Sequence, residues 1–235
     1  MTQPLIRLEG VVKNYAALRP LRIESLALDP GAIVAVLGLD AAAAEVLVGL
    51  VTGASLPDAG EVALFGRSTR EVADSDTWLG LLDGVGLLTD RAVLIEQFSV
   101  EQNIAMPFTL RVDPLEAGVR PRVAALADEV GLGRDVLPVR LADAPARVAA
   151  RARLARALAL DPTVLLAEHP SAALPRDDVV PFARDLGRIA RARRLAVLVL
   201  TGDETFARAL GGEVLTHEPA TGALRSRSRW RRIFG

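Results

Sequence analysis

Cysteine is absent from the 235-residue chain, so it has no disulfide framework, no thiolate metal site and no cysteine nucleophile. Histidine is nearly absent. His169 and His217 stand far apart, and neither has a second histidine at metal-ligand spacing, which argues against a zinc centre and leaves no metal site to name. Charges interrupt every apolar stretch before the roughly 20 residues that a membrane-spanning helix needs. The opening MTQPLIRLEG has no basic region followed by an apolar run, so a cytoplasmic protein is expected. Lysine is reduced to Lys13 alone among 28 lysines and arginines. Any chemistry that needs a lysine later in the chain is therefore excluded.

The remaining composition is that of an ordinary soluble globular protein, 51% hydrophobic and 24% charged, with a net charge of −1. A chain of this length buries a sizeable core, as one large domain or as a domain with a smaller lobe. Its charge is uneven. Arg225, Arg227, Arg229, Arg231 and Arg232 crowd the last eleven residues and leave residues 1–224 with −6.

Apolar alternation over Ile6–Val12 and Leu21–Leu28, around a turn at Lys13-Asn14-Tyr15, predicts two strands of an antiparallel lobe. Ala32–Leu37 is wholly apolar, as in a buried parallel strand, and ends at Gly38. Asp40 then reads as the N-cap of a helix closed near Gly53. Further strands are predicted at Glu61–Phe65, Val85–Leu88, Thr163–Ala167 and Leu195–Leu200, with a hairpin-like stretch at Glu213–Leu224. Helices are predicted at Ser99–Leu110, Pro114–Val130, from an Asp143 cap through Leu160, at Asp177–Arg193 and at Asp203–Leu210. Residues 68–84 are ambiguous, and there is no internal repeat. Strands alternating with helices make an α/β fold: a parallel sheet flanked by helices, with an N-terminal antiparallel β lobe and a helical insert.

This order of landmarks resembles the nucleotide-binding domain of ATP-binding cassette (ABC) transporters, an ABC-type P-loop NTPase-like fold, over residues 5–224. The stretch Gly31–Val62 lines up without a gap on the family's glycine, apolar strand, phosphate loop, helix and Pro-Asp-x-Gly-Glu-Val. Phe98–Ile104 and Ala155–Pro162 add further matches. The resemblance implies one ABC ATPase-like domain over residues 1–224, with a helical insert at about 99–160, and a basic-aromatic tail at 225–235.

Within that frame the family's motifs are replaced. A phosphate loop needs glycines to wrap the phosphates, a lysine on the β/γ-phosphates and a hydroxyl on Mg²⁺. Here Ala44 stands at the lysine position and Glu45 at the hydroxyl position. Alanines at 41 and 43 should wind into helix, and the Asp40 carboxylate would oppose an anion at that helix N-terminus. Glu168 and His169 stand where the family has its magnesium-supporting aspartate and its water-polarising glutamate; the alternative for His169 is a structural role. The signature falls at Ala144–Val148, the Q-loop glutamine at Asp90, the D-loop aspartate at Pro175 and the switch histidine at Gly202. Tyr15 matches the adenine-stacking aromatic, although packing on its own lobe explains it equally well.

These replacements predict a non-catalytic, pseudo-ATPase cassette that has lost ATP hydrolysis and needs no cofactor. It would be a scaffold or regulator of an ABC-type transport complex, and Asn103–Phe108 is similar to lipid-exporting branches. Its partners would be a membrane permease, an active ABC ATPase subunit, or both, met through Asp90, Arg91 and Asn103 at the inner face of the membrane. One alternative is a genuine ATP-binding ABC ATPase with rearranged motifs, using ATP with Mg²⁺ at Gly38 and Tyr15. Another is a stand-alone module whose tail, with Arg229, Trp230, Arg231, Arg232 and Phe234, meets an anionic membrane or single-stranded nucleic acid. The acidic body disfavours nucleic acid. The arginines at 147, 151, 153 and 156 read as a solvated helix face.

Overall fold

The computed structural model describes residues 3–72 and 74–226. The tail residues Arg229, Trp230, Arg231, Arg232 and Phe234 lie outside the described residues, so nothing bears on the membrane or nucleic-acid reading of them. Among the described residues no helix is long and apolar enough to cross a membrane.

Two sheets organise the chain. The first is antiparallel, in the order β2-β1-β4-β5, with β1 Ile6–Lys13, β2 Leu21–Leu28, β4 Ala59–Leu64 and β5 Arg67–Ser68. The second has the order β10-β9-β3-β8-β7-β6, built from β3 Ile33–Leu37, β6 Val85–Leu88, β7 Val164–Glu168, β8 Ala196–Thr201, β9 Glu213–His217 and β10 Leu224–Ser226. All its pairings are parallel except β9–β10. Every residue of β3 and β8 is buried, which is why these stretches read as unbroken apolar runs.

Alternate residues of these strands feed two cores, because successive side chains point to opposite faces. Val34, Val36, Leu166, Leu198 and Leu200 pack against α1 (Ala41–Val51) and the antiparallel lobe. Ala35, Leu165, Ala167, Val197 and Val199 pack against the helices of the other face. Those helices are α3 Val100–Ala105, α4 Arg120–Glu129, α5 Ala146–Leu158, α6 Arg176–Arg193 and α7 Glu204–Leu210, while α2 (Ser75–Leu82) fills the ambiguous stretch. The β1–β4 register shifts beside Gly10, and there Gly60 takes φ +79°. A Cβ on Gly60 would stand 2.3 Å from the Gly10 carbonyl oxygen, so only glycine fits this crossing. At the neighbouring turn, Lys13 Nζ donates to the Leu56 carbonyl and pairs with Asp58.

The helical insert departs from its prediction in three places. The helix expected over 99–110 ends at Ala105, ahead of Pro107. The one expected from Pro114 starts at Arg120, because the chain turns through Asp113–Pro114 first. Asp143 does not cap the long helix: it closes a 3₁₀ turn at Leu141–Asp143 and pairs with Arg140, and Pro145 precedes α5 instead. Of the α5 arginines expected on a solvated face, Arg147 is exposed, but the other three have partners. Arg151 pairs with Asp185 at 2.6 Å, Arg153 with Asp90 at 3.0 Å, and Arg156 donates to the Val93 carbonyl at 2.7 Å.

Asn103, expected at a partner surface, is fully buried. Its Oδ1 accepts the Ile95 N–H at 2.7 Å, and its Nδ2 donates to the Ile95 and Ser99 carbonyls at 2.9 and 3.0 Å. It therefore stitches the segment before α3 to that helix. Asn103→Leu, similar in size but unable to bond, should leave the Ile95 N–H unpaired, while the Ile95 carbonyl keeps the Phe98 N–H, and cost about 1–3 kcal/mol, read as a lowered urea midpoint.

Candidate functional site

The C-terminal ends of β3, β6, β7 and β8 open onto one edge of the parallel sheet, the place where open α/β sheets bind ligands. Gly38 follows β3 with φ +92°, and a Cβ there would lie 3.1 Å from the His217 carbonyl oxygen. Asp40 caps α1 as predicted, its Oδ1 accepting the Ala43 N–H at 2.8 Å. The loop alanines are wound into helix. Ala44 is fully buried in the core between α1 and the sheet. Tyr15 is half-buried against the same core, and burial first, then the Asp40 charge, push its phenol above its usual pKa.

Glu45 and Glu168 do not face solvent as separate acids. Arg91, in the loop after β6, lies between them: Nη2 is 2.6 Å and Nη1 3.3 Å from the Glu168 oxygens, and Nη1 is 3.1 Å from Glu45 Oε1. Thr89 donates its hydroxyl to Glu168 at 3.3 Å and accepts the Arg91 N–H through the same oxygen. Arg91 was expected at a partner surface with Asp90. The structure turns it to the sheet edge, while Asp90 pairs with Arg153 on α5.

The Glu45 arm is a surface ion pair, with Glu45 60% exposed, and contributes about 1 kcal/mol at most. The Glu168 arm is bidentate to a side chain only 11% exposed, a stronger geometry. Burial pushes the Glu168 carboxyl above the ordinary carboxylate range, a push opposed by Arg91 and Thr89 and increased by Glu45.

His169 follows β7 with φ +43°, its N–H bonded to the Leu200 carbonyl. Its Nε2 is buried without a hydrogen-bond partner among the described residues. Gly202 is exposed, and the work at that corner falls to its neighbours: Asp203 caps α7 and accepts the Ser171 hydroxyl at 2.9 Å. The signature position lies at the start of α5, and Pro175 immediately precedes α6. His217, also buried, bonds through Nε2 to the Arg22 carbonyl and serves the lobe contact.

Phosphate fits part of this edge. Gly38 lets backbone approach closely, and Ala41 and Ala42 expose the first turn of the eleven-residue α1. The Asp40 carboxylate competes for the same N–H groups. Magnesium does not fit while Arg91 stands there, because the guanidinium holds both oxygens of Glu168 and faces Oε1 of Glu45.

Because the Glu168 pKa is raised on folding, its contribution to stability is present below the ordinary carboxylate pKa and is lost as pH rises through the folded value. The stability of the native protein relative to Glu168→Gln should therefore fall as pH goes from about 4 to about 7, measured by denaturant melts across that range.

No family model matches the chain. Curated relatives do. The sulfate/thiosulfate import ATP-binding protein of Thermosynechococcus vestitus is 31% identical over 172 residues, covering 72% of this chain and 48% of that protein. The lipoprotein-releasing system ATP-binding protein of Myxococcus xanthus is 29% identical over 223 residues, covering 89% and 98%. The chain spans only about half the length of the import relative, but nearly all of the lipoprotein-releasing one. Among solved structures, a dimeric bacterial ABC transporter cassette superposes with a TM-score of 0.73 at 20% identity, covering 90% of this chain and 93% of that one. The cbiO1 protein of Clostridium perfringens, part of the ABC transporter complex cbiONQ, superposes at 0.80 with 16% identity, covering 99% and 92%. These relatives correct two expectations, the non-catalytic cassette and the absence of a cofactor: both curated proteins are named as ATP-binding transport subunits. By sequence and by fold, the chain belongs to the ATP-binding cassette family of ABC transporter subunits.

Proposed function

We propose that the chain is the ATP-binding subunit of an ABC-type transport complex, with a rearranged phosphate loop, working at the inner face of a membrane beside a permease subunit. The observation that carries this reading is the end-to-end match to ATP-binding subunits that are cassettes and little else: the lipoprotein-releasing relatives align over 92% and 98% of their own length. Residues 1–224 would then form the cassette, with 99–160 as its helical insert.

In this reading the phosphates meet the first turn of α1 below Gly38, with Arg91 as the cation beside them. The Tyr15 ring offers a face to the base, and stacking of this kind contributes about 1–3 kcal/mol. His169, just after β7 and with its buried Nε2 unpartnered among the described residues, is the candidate base at the edge. On the opposite side of loop 89–93, an open cleft of about 290 Å³ runs between α2, β6 and α5. Leu79, Leu82, Ala92 and Leu160 give it apolar walls, and Arg153 and Arg156 give it a basic side. The two guanidiniums would draw an acidic group entering the cleft, in competition with Asp83 on its wall and with Asp90, which already pairs with Arg153. The end of an amphipathic permease helix suits that chemistry.

Calorimetry of the full chain with Mg-ATP, followed by phosphate release from the same sample, tests the reading. Micromolar binding with turnover is expected; a titration without heat and without phosphate release overturns it. Asp40→Asn keeps the N-cap and removes the charge that competes with phosphate. It should tighten ATP by about three- to tenfold in the same titration.

A further inference from the structure

Three elements far apart in sequence bring one cation and two acids to a single point. Glu45 comes from the second turn of α1, Glu168 from the last residue of β7, and Arg91 from the loop after β6. Phosphate-loop proteins gather oxygen ligands for Mg²⁺ from the side chain that here is Glu45. A divalent ion needs such oxygens free to turn toward it. Here both oxygens of Glu168 and Oε1 of Glu45 face the guanidinium of Arg91, whose backbone N–H is itself fixed by Thr89, the residue that also donates to Glu168. Charge bookkeeping agrees with the geometry, because two carboxylates around one ion ask for a positive partner, and Arg91 supplies it permanently. Its hydrogen bonds to Glu168 use two of its five N–H donors, Glu45 adds an ion pair at 3.1 Å, and 42% of the side chain stays exposed.

We propose that Arg91 is the resident cation of this site: it holds the place between Glu45 and Glu168 that would otherwise take a divalent metal, and nucleotide binds without one. This rests on the nucleotide reading above, and the test separates the two. Calorimetry of the full chain with ATP is run in excess EDTA and in excess MgCl2. The wild-type affinities are expected to agree within about threefold. Arg91→Ala, and Arg91→Gln as a second variant that keeps the side-chain length, should lose about tenfold or more in EDTA and regain it with Mg²⁺. A wild-type affinity that falls tenfold or more in EDTA overturns the proposal, and so do variants that follow the wild type in both buffers.

If the wild type binds no ATP in either buffer, the nucleotide reading fails and Arg91 is judged on metal alone. Mn²⁺ is titrated into the nucleotide-free proteins and followed by its electron paramagnetic resonance signal. Uptake by Arg91→Ala or Arg91→Gln and not by the wild type supports the resident cation. Uptake by the wild type, or by none of the three, overturns it.

Discussion

The structure depends on the desolvation of three adjacent strands, β3, β8 and β7, on both faces at once. Apart from Glu168 at the end of β7, their side chains are buried, so each face must be covered by something large, and the two covers are different in kind. The antiparallel lobe and α1 close one face, and the helices from α3 to α7 close the other. Parallel strands are tolerated because every neighbour is a strand or a helix that satisfies the ladder. The same burial forces all polar chemistry to the strand ends, where the chain can turn outward.

Polar groups crowded at one edge must then neutralise one another or bind something. Asp40 satisfies a helix terminus, Asp203 satisfies the next, and Glu168 takes a guanidinium. The charges at this edge are thus mostly committed to partners before any ligand arrives. A nucleotide meets prearranged donors rather than loose side chains, and its binding is a competition with Asp40 for the start of α1. That is a different balance from a glycine-rich loop closed by a lysine, and it follows from a sequence whose lysine is confined to Lys13.

Much of this was legible in advance because the central strands carry polar residues only at their C-terminal ends. Ile33–Leu37 reads as a buried strand from composition alone, and Leu21–Leu28 from its alternation. The Asp40 cap and the helical winding of Ala41–Ala44 followed from side-chain chemistry within five residues. The insert was less legible. Asp143 looks like a cap in one dimension, yet Arg140 claims it, and Asn103 looks like a surface amide until its three bonds to Ile95 and Ser99 bury it. The ion pairs of Arg91 were hidden for the same reason. Its partners sit at positions 45 and 168, and no local pattern encodes a meeting of three segments.

Loop 89–93 is gripped from two sides. Thr89 and Arg91 fasten it to β7 and α1, while Asp90 and the Val93 carbonyl are fastened by Arg153 and Arg156 of α5. The grips alternate along a few residues of backbone too short to absorb slack. The loop is thus a taut belt between the sheet edge and the helical insert: a tilt of α5 pulls on the guanidinium, and a shift of the guanidinium pulls on α5.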